Sequence, residues 1–119
     1  MNTVLAVVND LFFSAKITEA AKRAGVTLQY VTNEEDLLEK AKANPSLIIF
    51  DLNFDAVQPL ELIKKLKADP GLKHLSMLGY LSHVQTDIAR AAEETGCDTV
   101  LPRSAFSMNL PRILSRYAE

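Results

Sequence analysis

The chain has 119 residues, which suits one compact domain with a core of its own and leaves no room for a second module. Apolar residues make up 48% of it and charged residues 24%, the balance of a globular protein rather than a disordered or fibrous one. A formal net charge of −2 gives no global attraction to nucleic acid or anionic lipid, and no apolar run approaches the roughly 20 residues of a membrane-spanning helix, so both partners are excluded as first readings.

Short apolar runs rich in β-branched residues alternate with longer stretches of helical spacing, in five rounds. Thr3 to Val8 reads as a first strand, followed by a helix with Phe13, Ile17, Ala20, Ala21 and Ala24 on one face and Gly25 as its stop. Val26 to Val31 reads as a second strand. Thr32 with Glu35 forms a candidate capping box for a helix burying Leu37, Leu38 and Ala41, ended by Asn44 and Pro45. Leu47 to Asp51 is the most apolar run and reads as a central strand, and a loop from Leu52 to Gln58 leads to Pro59, which opens a helix carrying Leu62, Ile63 and Leu66. Ser76 to Leu81 is the fourth strand, and a helix with Ile88, Ala91 and Ala92 follows, ending before Gly96. Thr99 to Leu101 is a short fifth strand. The last helix places Leu110, Ile113, Leu114 and Tyr117 at helical spacing, with Ser107 or Asn109 as its cap and Pro111 in its first turn.

Strands apolar on both faces, each followed by a helix, predict an α/β fold: a flavodoxin-like (βα)5 three-layer sandwich, residues 1–119, with a five-stranded parallel sheet in the order 2-1-3-4-5. No glycine-rich phosphate turn follows the first strand, which disfavours a dinucleotide-binding fold. The N-terminus shows no secretory signal and the single Cys97 has no cysteine partner, so the chain reads as cytoplasmic and Cys97 as a small core residue.

In such a sheet ligands gather beyond the carboxyl ends of the strands, where strand order reverses. Asn9 and Asp10 stand at the end of strand 1 and Asp51 at the end of strand 3, so the two carboxylates are expected to converge on a cleft suited to Mg²⁺, a hard cation that takes one or two carboxylates and keeps several waters. Either Asp alone reads equally well as an acceptor for loop amides or a helix cap.

The runs Val7-Val8-Asn9-Asp10, Ile48-Ile49-Phe50-Asp51-Leu52-Asn53 and Met77-Leu78-Gly79-Tyr80 resemble strands 1, 3 and 4 of a response-regulator receiver domain, and the resemblance covers the whole chain. It implies Asp51 as phosphoacceptor, Asp10 as Mg²⁺ ligand with Asn9 in place of the first member of an acidic pair, and Asn53 as a ligand through its backbone carbonyl. It also implies a non-enzymatic signalling role in a two-component phosphorelay, with a sensor histidine kinase or a downstream effector protein as partner. Besides Asn9, three further positions depart from the family. The hydroxyl residue ending strand 4 is replaced by Leu81, with Ser82 one residue late; the lysine ending strand 5 falls on Pro102, with Arg103 one further; and the aromatic switch position falls on Thr99. Ser82 and Arg103 are therefore candidates for a modified site, although Arg103 reads equally as a solvated side chain.

Two readings of function follow, a stand-alone phosphoacceptor receiver and a pseudo-receiver that binds partner proteins without phosphorylation. A small-molecule-binding domain or hydrolase is weaker, for want of a flavin-type phosphate loop, nucleophile elbow or metal-binding histidine pair. His83 reads as a loop residue at the cleft mouth, His74 has no readable role, and Lys64, Lys65 and Lys67 read as a solvated helix face. Met77 and Met108 read as packing residues. Arg90, Arg103, Arg112 and Arg116 are expected on the surface of helix 4, strand 5 and helix 5, a candidate homodimer or partner face.

Overall fold

The computed structural model describes residues 3–82 and 86–117; the expectation for His83 lies outside the described residues. Five parallel strands, β1 (Thr3–Val7), β2 (Thr27–Tyr30), β3 (Leu47–Asp51), β4 (Met77–Leu81) and β5 (Thr99–Pro102), form one sheet in the order β2-β1-β3-β4-β5. The helices between and after them are α1 (Leu11–Ala24), α2 (Glu34–Ala41), α3 (Pro59–Ala68), α4 (Thr86–Thr95) and α5 (Arg103–Arg116), with a short 3-10 turn at Asp55–Val57. The predicted flavodoxin-like order is therefore the observed one.

Burial follows position in the sheet. Every residue of β3 and β4 is buried, whereas β2 and β5 at the edges are part exposed, as expected when helices cover both faces of the inner strands. Alternation along the strands sends side chains into two cores. Val4, Ala6, Leu47, Ile49, Leu78 and Tyr80 pack with α1 and α5 through Phe13, Ile17, Phe106, Leu110 and Leu114. Leu5, Val7, Ile48, Phe50, Met77 and Leu81 pack with α2, α3 and α4 through Leu37, Leu62, Ile63, Leu66 and Ala92. At Gly79 a Cβ would stand 2.8 Å from Leu52 Cδ1, so the bare backbone of β4 makes room for the side chain that follows Asp51.

Local expectations are corrected at four places. Strand β1 ends at Val7, and Asp10 is the cap of α1 rather than the last residue of a strand. Asn33, not Thr32, caps α2: its extended backbone lets Oδ1 accept the Asp36 N–H at 2.8 Å. Helix α5 starts at Arg103, directly after Pro102, whose φ of −60° leads into the helix, so Pro111 lies inside it and not in its first turn. Ser107 and Asn109 are consequently mid-helix: Ser107 Oγ accepts from Lys16 at 3.0 Å and Asn109 donates to the Ala105 carbonyl at 2.8 Å. Met77 is core as expected, but Met108 is 80% exposed, on the face of α5 opposite its buried Phe106, Leu110 and Leu114.

Candidate functional site

The fully buried strand β3 carries Asp51 to the carboxyl edge of the sheet, where it is 5% exposed and, among the described residues, the one buried charged side chain. Its Oδ1 accepts the Asn53 N–H at 2.9 Å, a tight turn that orients the carboxylate. Burial pushes the Asp51 carboxyl above the ordinary value of 3.8; the Asn53 amide and the Arg103 charge pull it down, and Asp10 and Asp55 push it up. Asp10 does two jobs. One oxygen, Oδ1, accepts the Phe12 and Phe13 amides at 2.9 and 3.3 Å, and the other, Oδ2, meets Arg103 Nη2 at 3.4 Å. The capping alternative for Asp10 is thus realised alongside its place in the cleft.

Arg103 reaches this cleft from the first turn of α5, with its guanidinium carbon 5.0 Å from the centroid of the Phe13 ring. Its Nε is buried and has no hydrogen-bond partner among the described residues. Arg103 therefore does not belong with Arg90, Arg112 and Arg116. Arg112 and Arg116 instead line a cavity of about 260 Å³ with Asp98, Asn109 and Tyr117, beside the amino ends of β4 and β5.

The remaining predicted residues are less engaged. Asn9 is exposed in the loop after β1. The Asn53 carbonyl accepts the Asp55 N–H at 3.0 Å and its Oδ1 accepts the Ser82 N–H at 3.2 Å, tying the loop after β3 to the end of β4. Leu81 is buried on the α2, α3 and α4 side, and Ser82, half-buried just past the strand, lines a cavity of about 120 Å³ with Thr86, Ala89 and Pro102. Thr99 is exposed at the start of β5, opposite Leu78 rather than opposite the strand end.

One residue of the site was not singled out from sequence. Tyr80 lies directly across from Asp51 in the register of β3 and β4, fully buried, with its ring stacked on Phe106 at 4.5 Å and on Phe13 at 5.0 Å. Its hydroxyl has no hydrogen-bond partner among the described residues, and burial together with the charges of Asp51 and Asp10 drives its pKa far up, so it stays a neutral phenol. Counting strand parity from Asp51 across parallel neighbours would have found it.

Elsewhere Cys97 is a buried thiol hydrogen-bonded to the Thr99 carbonyl at 3.3 Å and pushed up to about 11, chiefly by burial, which makes it inert. His74 Nε2 pairs with Asn44 Oδ1 at 2.7 Å. Of the α3 lysines, Lys65 pairs with Glu34 at 2.7 Å and Lys67 with the Lys73 carbonyl at 3.0 Å. No helix among the described residues is long and apolar enough to cross a membrane.

Superposed on solved structures, the chain matches a response regulator from Hahella chejuensis with a TM-score of 0.85 and 20% identity, over 98% of this chain and 95% of that one. It matches the phosphorylated cyanobacterial phytochrome response regulator RcpA at 0.80 and 19% identity, over 97% and 89%. It matches the Mn²⁺-bound form of the response regulator Rcp1 at 0.79 and 18% identity, over 98% and 91%. The chain has the receiver fold. No protein-family model and no curated protein matches the sequence.

The Rcp1 structure is a Mn²⁺-bound form, and the donor set of the present cleft bears on whether such an ion would be held. Two carboxylates and a backbone carbonyl are the right kinds of ligand for Mg²⁺. In the present arrangement they do not fit one: Asp10 Oδ1 is spent on the α1 amides, Asp10 Oδ2 faces Arg103, and the Asn53 carbonyl is turned into its own loop. Among the described residues no group of three or more His, Cys, Asp or Glu side chains converges on one point.

Proposed function

We propose that this receiver-fold chain is a signalling domain that works by binding a partner protein, with Asp51 held as a buried, internally compensated acid rather than used as an efficient phosphoacceptor. The observation that carries this reading is the Arg103 guanidinium at 3.4 Å from Asp10 Oδ2, which places a permanent protein cation in the acidic cleft. With Leu81 where the family has a hydroxyl and Thr99 at the aromatic switch position, a modified Asp51 would have no ready route for reshaping the surface.

A surface for partners is at hand. Among the described residues Leu11, Phe12 and Met108 are the exposed large apolar side chains, all on α1 and α5, and Phe12 borders a cavity of about 470 Å³ between these helices. A sensor histidine kinase or a downstream effector of a two-component pathway is the class of partner that the fold favours. The face of α4, β5 and α5, with Arg112 and Arg116, is the candidate contact for a second copy.

The second reading keeps Asp51 as phosphoacceptor with Mg²⁺ on Asp10, Asp51, Asn53 and Asn9, and Ser82 and Arg103 as phosphoryl contacts. It is favoured by the position of Asp51 at the end of the central strand, with Asp10 close enough to raise its pKa. Incubation with acetyl phosphate and Mg²⁺, followed by intact mass measurement, separates the two. The partner-binding reading expects no phosphoryl adduct on wild type. A stoichiometric adduct on wild type that Asp51→Asn abolishes would overturn it.

A further inference from the structure

Arg103 sits on a prepared seat. Phe13 offers its ring face at 5.0 Å and is itself held by Tyr80 at 5.0 Å and Phe106 at 6.1 Å, so the platform is rigid. Asp10 receives one guanidinium nitrogen, and Arg103 is the positive charge that pulls down the Asp51 carboxyl. A guanidinium stays protonated throughout the working pH range, so titration cannot empty this seat; only movement of the side chain can. Such movement is open to it, because the side chain is 43% exposed.

We propose that Arg103 is the resident cation of the acidic cleft and excludes divalent metal from it: a metal ion and the Arg103 head compete for Asp10 Oδ2, and the protein is metal-free while Arg103 is seated. This deepens the partner-binding reading, on which it rests for the cleft's being unused for phosphoryl transfer. It also names the step that would open the cleft, namely a partner acidic group or a mutation that draws Arg103 outward.

The test uses Mn²⁺ alone as probe, with unbound Mn²⁺ read by electron paramagnetic resonance during titration of wild type, Arg103→Gln, and Arg103→Gln combined with Asp10→Asn. Removing one unit positive charge beside the carboxylates is expected to tighten Mn²⁺ binding roughly tenfold or more. The Asp10→Asn change should cancel the gain. Circular dichroism and thermal melting establish that each variant folds; if Arg103→Gln does not fold, Arg103→Lys, which keeps the charge but loses the planar head, replaces it and should bind Mn²⁺ more tightly than wild type by a smaller factor. Wild type binding Mn²⁺ as tightly as the folded Arg103 variant, or a gain that survives Asp10→Asn, overturns the proposal. Equal Mn²⁺ affinities with no phosphoryl adduct would remove this inference and leave the partner-binding reading standing. A phosphoryl adduct on wild type, with the Mn²⁺ gain intact, would do the reverse.

Discussion

The two faces of the sheet are built differently. Under α2, α3 and α4 the core is mainly aliphatic, with Leu37, Ile48, Leu62, Ile63 and Leu66 closing around Phe50. Under α1 and α5 the core ends in three stacked rings, Phe13, Tyr80 and Phe106, and at the rim of that stack lie the two buried side-chain atoms without a hydrogen-bond partner among the described residues, Tyr80 Oη and Arg103 Nε. Buried polar atoms without partners cost stability, and they concentrate where a protein keeps something other than packing. Both faces are packed, but only the α1 and α5 face carries these orphan atoms, beside the candidate cleft.

Truncating each core tests that division most severely. Phe106→Ala and Leu66→Ala should each cost about 3–5 kcal/mol in chemical denaturation, since both side chains are fully buried. Only Phe106→Ala should also weaken the near-UV tyrosine signal, as it removes the ring stacked on Tyr80. Equal loss of that signal in both variants would erase the distinction between the faces. Gly79→Ala comes next. Its new methyl would meet Leu52 Cδ1 at 2.8 Å and Cγ at 2.9 Å, and a destabilisation of about 1–3 kcal/mol is expected, with Leu52 and the Asp51 loop pushed outward.

Smaller effects of the opposite sign should mark the cleft face alone. Tyr80→Phe removes an unpaired buried hydroxyl and should stabilise the fold by about 1 kcal/mol, read as a higher melting temperature. A loss of stability would mean that the hydroxyl has a partner, a water or a residue outside the described set. For Asp51 the sign follows from its raised pKa: the folded state binds its proton more tightly than the unfolded chain, so the charged carboxylate costs stability above the folded pKa and nothing below the ordinary value of 3.8. Asp51→Asn should therefore raise the melting temperature near pH 7, and the gain should fade as pH falls through the folded value towards 3.8. A gain independent of pH would detach it from the carboxylate.

The strands and helices could be read from the chain because burial imposes a local period: two residues for a strand, 3.6 for a helix, with glycine and proline as punctuation. Leu47 to Asp51 illustrates how far this goes, since an unbroken apolar run ending in Asp determined both the central strand and the buried carboxylate at its tip. The start of α5 was harder to read, because Pro102 and Pro111 are both tolerated at a helix start and only the packing of Phe106 under Tyr80 decides that the helix begins at Arg103.

The pairing of Arg103 with Asp10 spans 93 positions and leaves no local pattern at all. What the sequence by itself determined is the order of elements, the parallel sheet and the residues at its carboxyl ends, because these depend on periodicity and connection length. Which groups then touch was decided by the tertiary structure: the side-chain direction of Arg103 over Phe13, the burial of the Tyr80 hydroxyl beside Asp51, and the spending of Asp10 on the α1 amides all depend on packing between distant segments, which no single segment encodes.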